Sequence, residues 1–259
     1  PQRIKTYVIK AIREAKVHTA WIRPDTEYEA ACVGFVEGLF GAGKRPDFLG
    51  AFLPFQKKVA AYGIYNSLSQ LLLKMTCPGI PDIYQGCELW DLSLVDPDNR
   101  RPVDFERRAR LLAEIMARER DLPKLIEDLL KEREDGRVKL FAARRLLEAR
   151  AESPDLFRDG SYVPLETTGR FRDNLIAFAR RGGERCAVAL APRLVSRLVR
   201  EDVLPLGAAV WRDTAVTWPE GWPARFENVF SGRILLAETS LRVGDALDLF
   251  PVALLVAAP

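Results

Sequence analysis

The sequence predicts a chain in two parts: mainly α-helical over residues 1–152, then antiparallel β over residues 153–259. Three observations carry this. Apolar residues recur at three- and four-residue spacing through the first part, the period of a helix with one buried face. Beyond Ser153-Pro154-Asp155 the apolar runs become short, β-rich and separated by glycine turns, the pattern of an antiparallel β-sandwich. Between two helical patterns, Ile80–Tyr84 forms a short apolar run bounded by Gly79 and Gly86 and followed by a long polar loop. That succession reads as a buried strand in a βα unit of a parallel sheet or barrel, where ligands sit beyond the strand's carboxyl end.

The first helix is carried by Ile4, Tyr7, Val8, Ala11, Ile12 and Ala15, with Lys5, Lys10, Arg13, Glu14 and Lys16 on its opposite face. Arg23-Pro24 breaks it, because the residue before a proline is pushed out of helical geometry. Asp25 or Thr26 can cap a second helix over 27–40, ended by Gly41 and Gly43, and 41–53 reads as a connector. A third helix is expected from Pro54, in its first turn, to Met75. After the polar loop, Asp104 can cap a helix reaching about Arg120, followed by helices over 122–132 and 137–151. Strands are expected at 162–167, 175–179, 186–190, 214–218, 226–230, 234–237, 246–249 and 252–256, with hairpin turns at Arg181-Gly182-Gly183 and Ser231-Gly232-Arg233.

The chain has 259 residues, 48% hydrophobic and 29% charged, enough for one large or two ordinary domains with real cores. Its 39 basic and 36 acidic side chains leave a formal charge of only +3, so nothing demands nucleic acid as a partner. No stretch approaches the roughly 18 uninterrupted apolar residues of a membrane span. Cys32, Cys77, Cys87 and Cys186 are scattered, which favours a reduced, cytoplasmic setting; Cys77 and Cys87 bracket the expected strand, and a disulfide between them is the lesser reading. With His18 the only histidine, no metal or other cofactor is expected. Pro1-Gln2-Arg3 reads as an internal cut of a longer chain.

The chemistry concentrates in Asp96-Pro97-Asp98-Asn99-Arg100-Arg101. Asp and Asn favour tight turns, and adjacent arginines present fixed forks of donors. Carboxylates and guanidinia of this kind grip the hydroxyl pairs of a neutral sugar, with the faces of Trp90 and Tyr84 beside its ring carbons. The bland reading is a solvated turn in which Arg100 pairs with a neighbouring carboxylate. His18 and Trp21, at the end of the first helix, form a second candidate, either as part of a cleft wall or as an ordinary histidine and tryptophan beside a helix.

Pro78-Gly79-Ile80-Pro81-Asp82-Ile83-Tyr84-Gln85-Gly86 followed by Glu88 resembles the last barrel strand of the α-amylase superfamily. The longer run from Tyr84 to Arg108 resembles the maltooligosyltrehalose synthase family, as do Arg13–Pro24 with Glu27–Ala31 and, downstream, Asp155–Tyr162. The resemblance implies the closing strand and helix of a (β/α)8 barrel, a C-terminal β domain, and a maltooligosaccharide substrate. It implies intramolecular transglucosylation of the reducing-end α-1,4 bond to an α,α-1,1 bond. It makes Asp96 and Arg100 a glucose-holding pair, Asp98 and Arg101 loop-fixing or binding residues, and Glu88 a strand-end anchor, with Tyr84 and Gln85 between those roles. The catalytic carboxylates of this superfamily lie in motifs containing Asp-His or His-Asp, and the chain has neither dipeptide. The resemblance therefore implies that catalysis needs an N-terminal part of the same polypeptide and that this chain alone is inactive. Two alternatives stand beside it. One is a cyclomaltodextrinase-like hydrolase; the other is a non-catalytic carbohydrate-binding or structural domain using Trp211, Trp218 and Trp222.

Overall fold

A computed structural model describes residues 1–40 and 46–258. The expected helix stop at Gly41 and Gly43 lies outside the described residues. The chain divides into two compact units, one of residues 1–59 with 91–103, the other of residues 60–90 with 104–259.

In the first unit, α1 (Gln2–Ala15) packs on α2 (Thr26–Phe40), the pair joined by a turn that Lys16 opens in left-handed geometry. Asp25 caps α2, its carboxylate accepting from the Tyr28 amide at 3.0 Å. The third helix, α3 (Pro46–Thr76), starts earlier than the sequence pattern suggested and holds Pro54 in its interior. Phe48-Leu49-Gly50-Ala51-Phe52-Leu53 is helix-compatible, and Pro54 removes only one backbone donor from a helix of 31 residues. The connector reading over 41–53 gave too much weight to Gly50, and the helix start read at Pro54 gave too much to that proline.

The second unit takes the rest of α3, then α4 (Phe105–Ala117), α5 (Leu122–Lys131), α6 (Arg137–Glu152) and α7 (Pro154–Asp159). Asp104 caps α4 through the Arg107 amide at 2.8 Å. The strands are β1 (Ser161–Pro164), β2 (Glu166–Thr168), β3 (Leu175–Gly182), β4 (Arg185–Pro192), β5 (Ala215–Thr217), β6 (Arg225–Asn228), β7 (Ile234–Leu236), β8 (Ser240–Arg242) and β9 (Ala253–Ala257). They form one antiparallel sheet in the order β1-β3-β4-β9-β6-β7 and a smaller one, β2-β5-β8. Two short helices, α8 (Gly207–Trp211) and α9 (Val243–Ala246), complete the unit. The strand expected at 246–249 is absent because α9 occupies its start. There Gly244 lies so close to α8 that a Cβ would stand 2.7 Å from the Ala208 Cα.

Alternation along the central strands explains the layering. Ala187, Ala189 and Ala191 of β4 face one core with α3, α4, α5, α6 and α7, while Cys186, Val188 and Leu190 face a second core with Val216 of β5 and Leu241 of β8. Alanines on the helix side keep that face shallow, so the helical layer lies close. The helices and the large sheet thus share a core, joined by the rings of Phe141 on α6, Phe230 and Phe250. At 152/153, where the sequence pattern turns from helix to strand, the structure changes layer within this shared core.

The expected parallel strand is not formed among the described residues. Ile80–Tyr84 belongs to no strand, and Ile80 is 93% exposed. A strand exists only through ladder bonds to its neighbours, and among the described residues none flanks this segment. The flanking glycines do turn the chain, with φ of 116° at Gly79 and 94° at Gly86.

Candidate functional site

In the first unit an open groove of about 780 Å³ lies between α1 and the 91–103 loop. From α1 it receives Lys5, Lys10, Arg13 and Glu14; from the turn after α1, Trp21; from the loop, Asp96, Pro97 and Arg100. The α1 residues recur at helical spacing on the face opposite the apolar stripe read from the sequence.

Arg100 pairs with Asp96. The hydrogen bond from Arg100 holds the Asp96 carboxyl below the usual carboxylate range. At neutral pH Asp96 is therefore a charged acceptor and has no proton to give. Asp96 precedes and Arg100 ends a one-turn 3-10 helix, Asp98–Arg100, whose first residue is buried. Asp98 does not face the groove. Its Oδ1 accepts from Arg3 Nε at 2.8 Å, and its Oδ2 from Arg3 Nη2 at 2.6 Å and the Leu94 amide at 2.7 Å. Arg101 pairs with the same carboxylate at 3.3 Å and donates to the Asp98 carbonyl at 2.9 Å. Asp98 and Arg101 thus hold the loop, while Asp96 and Arg100 line the groove.

Trp21 is held at the groove by a second network. Buried Glu29 accepts two bonds of 2.7 Å from Arg13 and one of 2.6 Å from Thr19 Oγ1, which itself accepts from the Asp25 amide at 2.9 Å. This anchors the turn that carries Trp21, and the Arg13 guanidinium lies 5.0 Å from the indole centroid. Trp21 remains 55% exposed. Arg13 first, then Thr19, lowers Glu29 to about 2. His18 is not brought to the groove; its ring stands 4.8 Å from that of Tyr28.

The other candidates lie in the second unit. Trp90 is packed rather than presented: its Nε1 donates to the Arg133 carbonyl at 2.8 Å, and Lys139 Nζ lies 5.6 Å from its ring. Tyr84 and Gln85 are exposed. Glu88 accepts from the Gly86 amide at 3.0 Å and Arg108 at 2.9 Å, while Arg108 also donates to the Gly86 carbonyl at 2.8 Å, closing the turn after Tyr84. Trp211 and Trp218 are buried and Arg181 covers the Trp222 ring at 4.6 Å, so the three form no exposed platform. No disulfide joins any of the four cysteines among the described residues. Burial pushes Cys186 up to about 11 and Cys77 upward, which keeps both thiols protonated. Among the described residues no group of three or more His, Cys, Asp or Glu side chains is placed to hold a metal ion, and no helix is long and apolar enough to cross a membrane.

No family model matches the chain. It is 34% identical over 215 residues to a Mycobacterium tuberculosis protein provisionally named maltooligosyl trehalose synthase, a match that covers 82% of this chain and 25% of that one. The solved maltooligosyltrehalose synthase of Arthrobacter ramosus superposes on 99% of the chain with a TM-score of 0.72 and 33% identity. The chain is homologous to the maltooligosyltrehalose synthases. A single-substitution variant of the Arthrobacter enzyme gives a TM-score of 0.76 at the same identity. The chain spans 30% of the length of either solved synthase and about a quarter of the curated synthase relative, so it corresponds to part of a synthase-length polypeptide.

Proposed function

We propose that this chain is the C-terminal part of an isomerase of the α-amylase superfamily that converts the reducing-end α-1,4 bond of a maltooligosaccharide into an α,α-1,1 bond, and that its groove forms a sugar-holding wall of that site. The observation that carries the reading is the placement of the Asp96–Arg100 pair and Trp21 on one groove in a chain homologous to the synthases. In the whole enzyme Ile80–Tyr84 would be the closing barrel strand, which accounts for a glycine-bounded apolar segment that pairs with no strand among the described residues. The setting would be cytoplasmic and the chemistry free of cofactors.

The reaction on this reading is a double displacement by carboxylates on the rest of the polypeptide. A nucleophile attacks the anomeric carbon of the penultimate glucose while an acid protonates the departing oxygen. The released glucose must stay, turn over and attack through its own anomeric hydroxyl before water does. Ionised Asp96 accepts from sugar hydroxyls, Arg100 donates to them, and the exposed indole of Trp21 covers a ring face. Retention raises the effective concentration of the released sugar and shuts out water.

The test is product analysis of the full-length enzyme on maltopentaose. The wild type should yield a product without a reducing end. Trp21→Ala should raise the ratio of free glucose to that product, and His18→Ala, away from the groove, should not. Asp96→Ala and Arg100→Ala should each raise KM about ten- to a hundredfold, the scale of a lost charged hydrogen bond. Reducing products from the wild type would replace this reading with the hydrolase.

A further inference from the structure

The groove pair does not hold its own position. Asp96 precedes and Arg100 ends the single turn Asp98–Arg100, which is closed by backbone bonds from the Asp98 amide to the Val95 carbonyl at 3.3 Å and from the Arg100 amide to the Pro97 carbonyl at 3.1 Å. So short a helix has little stability of its own. What seats it is the Asp98 carboxylate, and the group that engages both its oxygens is the guanidinium of Arg3, in the first turn of α1. The same guanidinium donates to the Leu92 carbonyl at 2.8 Å, so one planar fork grips the loop near both ends. Arg3 does not line the groove, although its neighbours Gln2 and Lys5 do.

We propose that Arg3 is a positioning residue for sugar binding, a latch that registers the 91–101 loop against α1 and thereby sets where Asp96 and Arg100 present their polar atoms. The inference rests on the sugar-holding reading of that pair. Bidentate geometry matters to it. A lysine supplies the charge but one point of attachment, which leaves the loop free to pivot about Asp98. The latch acts on binding in ground and transition state alike, so its loss appears in KM rather than kcat.

Two measurements on the full-length enzyme test it. In hydrogen exchange, Arg3→Ala should speed exchange at the Leu94, Asp98 and Arg100 amides at least tenfold, Arg3→Lys less, while amides within α2 keep their protection. In steady-state kinetics on maltopentaose, Arg3→Ala should raise KM about tenfold with kcat within twofold. The same substitution added to Asp96→Ala/Arg100→Ala should change KM by less than twofold, because the pair it positions is gone. Unchanged exchange in Arg3→Ala refutes the latch whatever the kinetics show. An equal rise in KM with and without the groove pair refutes positioning through that pair. Faster exchange with KM unaffected in every variant leaves the latch standing as a loop anchor and overturns the sugar-holding reading, and with it the positioning role.

Discussion

Replacing Phe141 with alanine tests whether the helices and the large sheet are one cooperative body. Phe141, on α6, is fully buried, with its ring 5.8 Å from Phe250 at an edge-on 66° and 6.4 Å from Phe230 at 47°. Emptying such a site costs about 3–5 kcal/mol, of which the two aromatic contacts supply about 0.5–1.5 kcal/mol each. At roughly 2–4 °C per kcal/mol for a body of 150–250 residues, the melting point should fall by about 6–20 °C. Phe141→Leu retains most of the volume and should cost only about 1–1.5 kcal/mol. Native-state hydrogen exchange is the suitable assay, because it reports the opening free energy segment by segment. If the core is shared, amides of α6 and of β4, at Ala187 to Ala191, open together and lose the same 3–5 kcal/mol of protection. Protection of β4 that survives Phe141→Ala while α6 loses its own would show two independent cores divided at 152/153.

Acid should weaken the first unit in a defined window. Hydrogen bonds from Arg13 and Arg3 hold Glu29 and Asp98 at about 2, so the folded state binds those protons more weakly than the unfolded chain does. Their stabilisation is complete above about pH 4.5 and is lost as pH falls towards about 2; exchange rates of α1 and α2 amides against pH should follow that course, with a shallower dependence in Glu29→Gln. Arg180 is buried and donates to the Thr76 carbonyl at the end of α3 at 2.8 Å, so Arg180→Ala should cost about 1–3 kcal/mol in denaturant titration, with partial recovery in Arg180→Met. Gly136 has a φ of 88°, and a Cβ there would stand 3.1 Å from the Trp90 amide nitrogen. Gly136→Ala should therefore destabilise the second unit by about 1–2 kcal/mol in the same titration.

Helix existence and most helix starts were legible because their signals are local. Asp25 and Asp104 announce caps that need only the next three residues to form. The two hairpins were legible for the same reason, with the turns at Gly182-Gly183 and Gly232 joining β3 to β4 and β6 to β7. The missed strand at Ser240–Arg242 is three residues long and made by its partner β5 rather than by its own pattern. The pairing of Asp96 with Arg100 could be suspected from a four-residue separation. The part played by Arg3 could not, since 95 residues separate it from Asp98.

By itself, then, the sequence determined what short-range sterics and local hydrogen bonds control: the helices, their caps, the turns, and the polar loop as the place where chemistry gathers. Tertiary structure decided which of those polar residues face a groove and which are spent holding it. It brought α1 beside the loop, turned Asp98 inward and Asp96 outward, and packed Trp90 against the start of α6. A buried charge must find its partner wherever the fold places one, and that choice depends on distances in space that spacing along the chain does not encode.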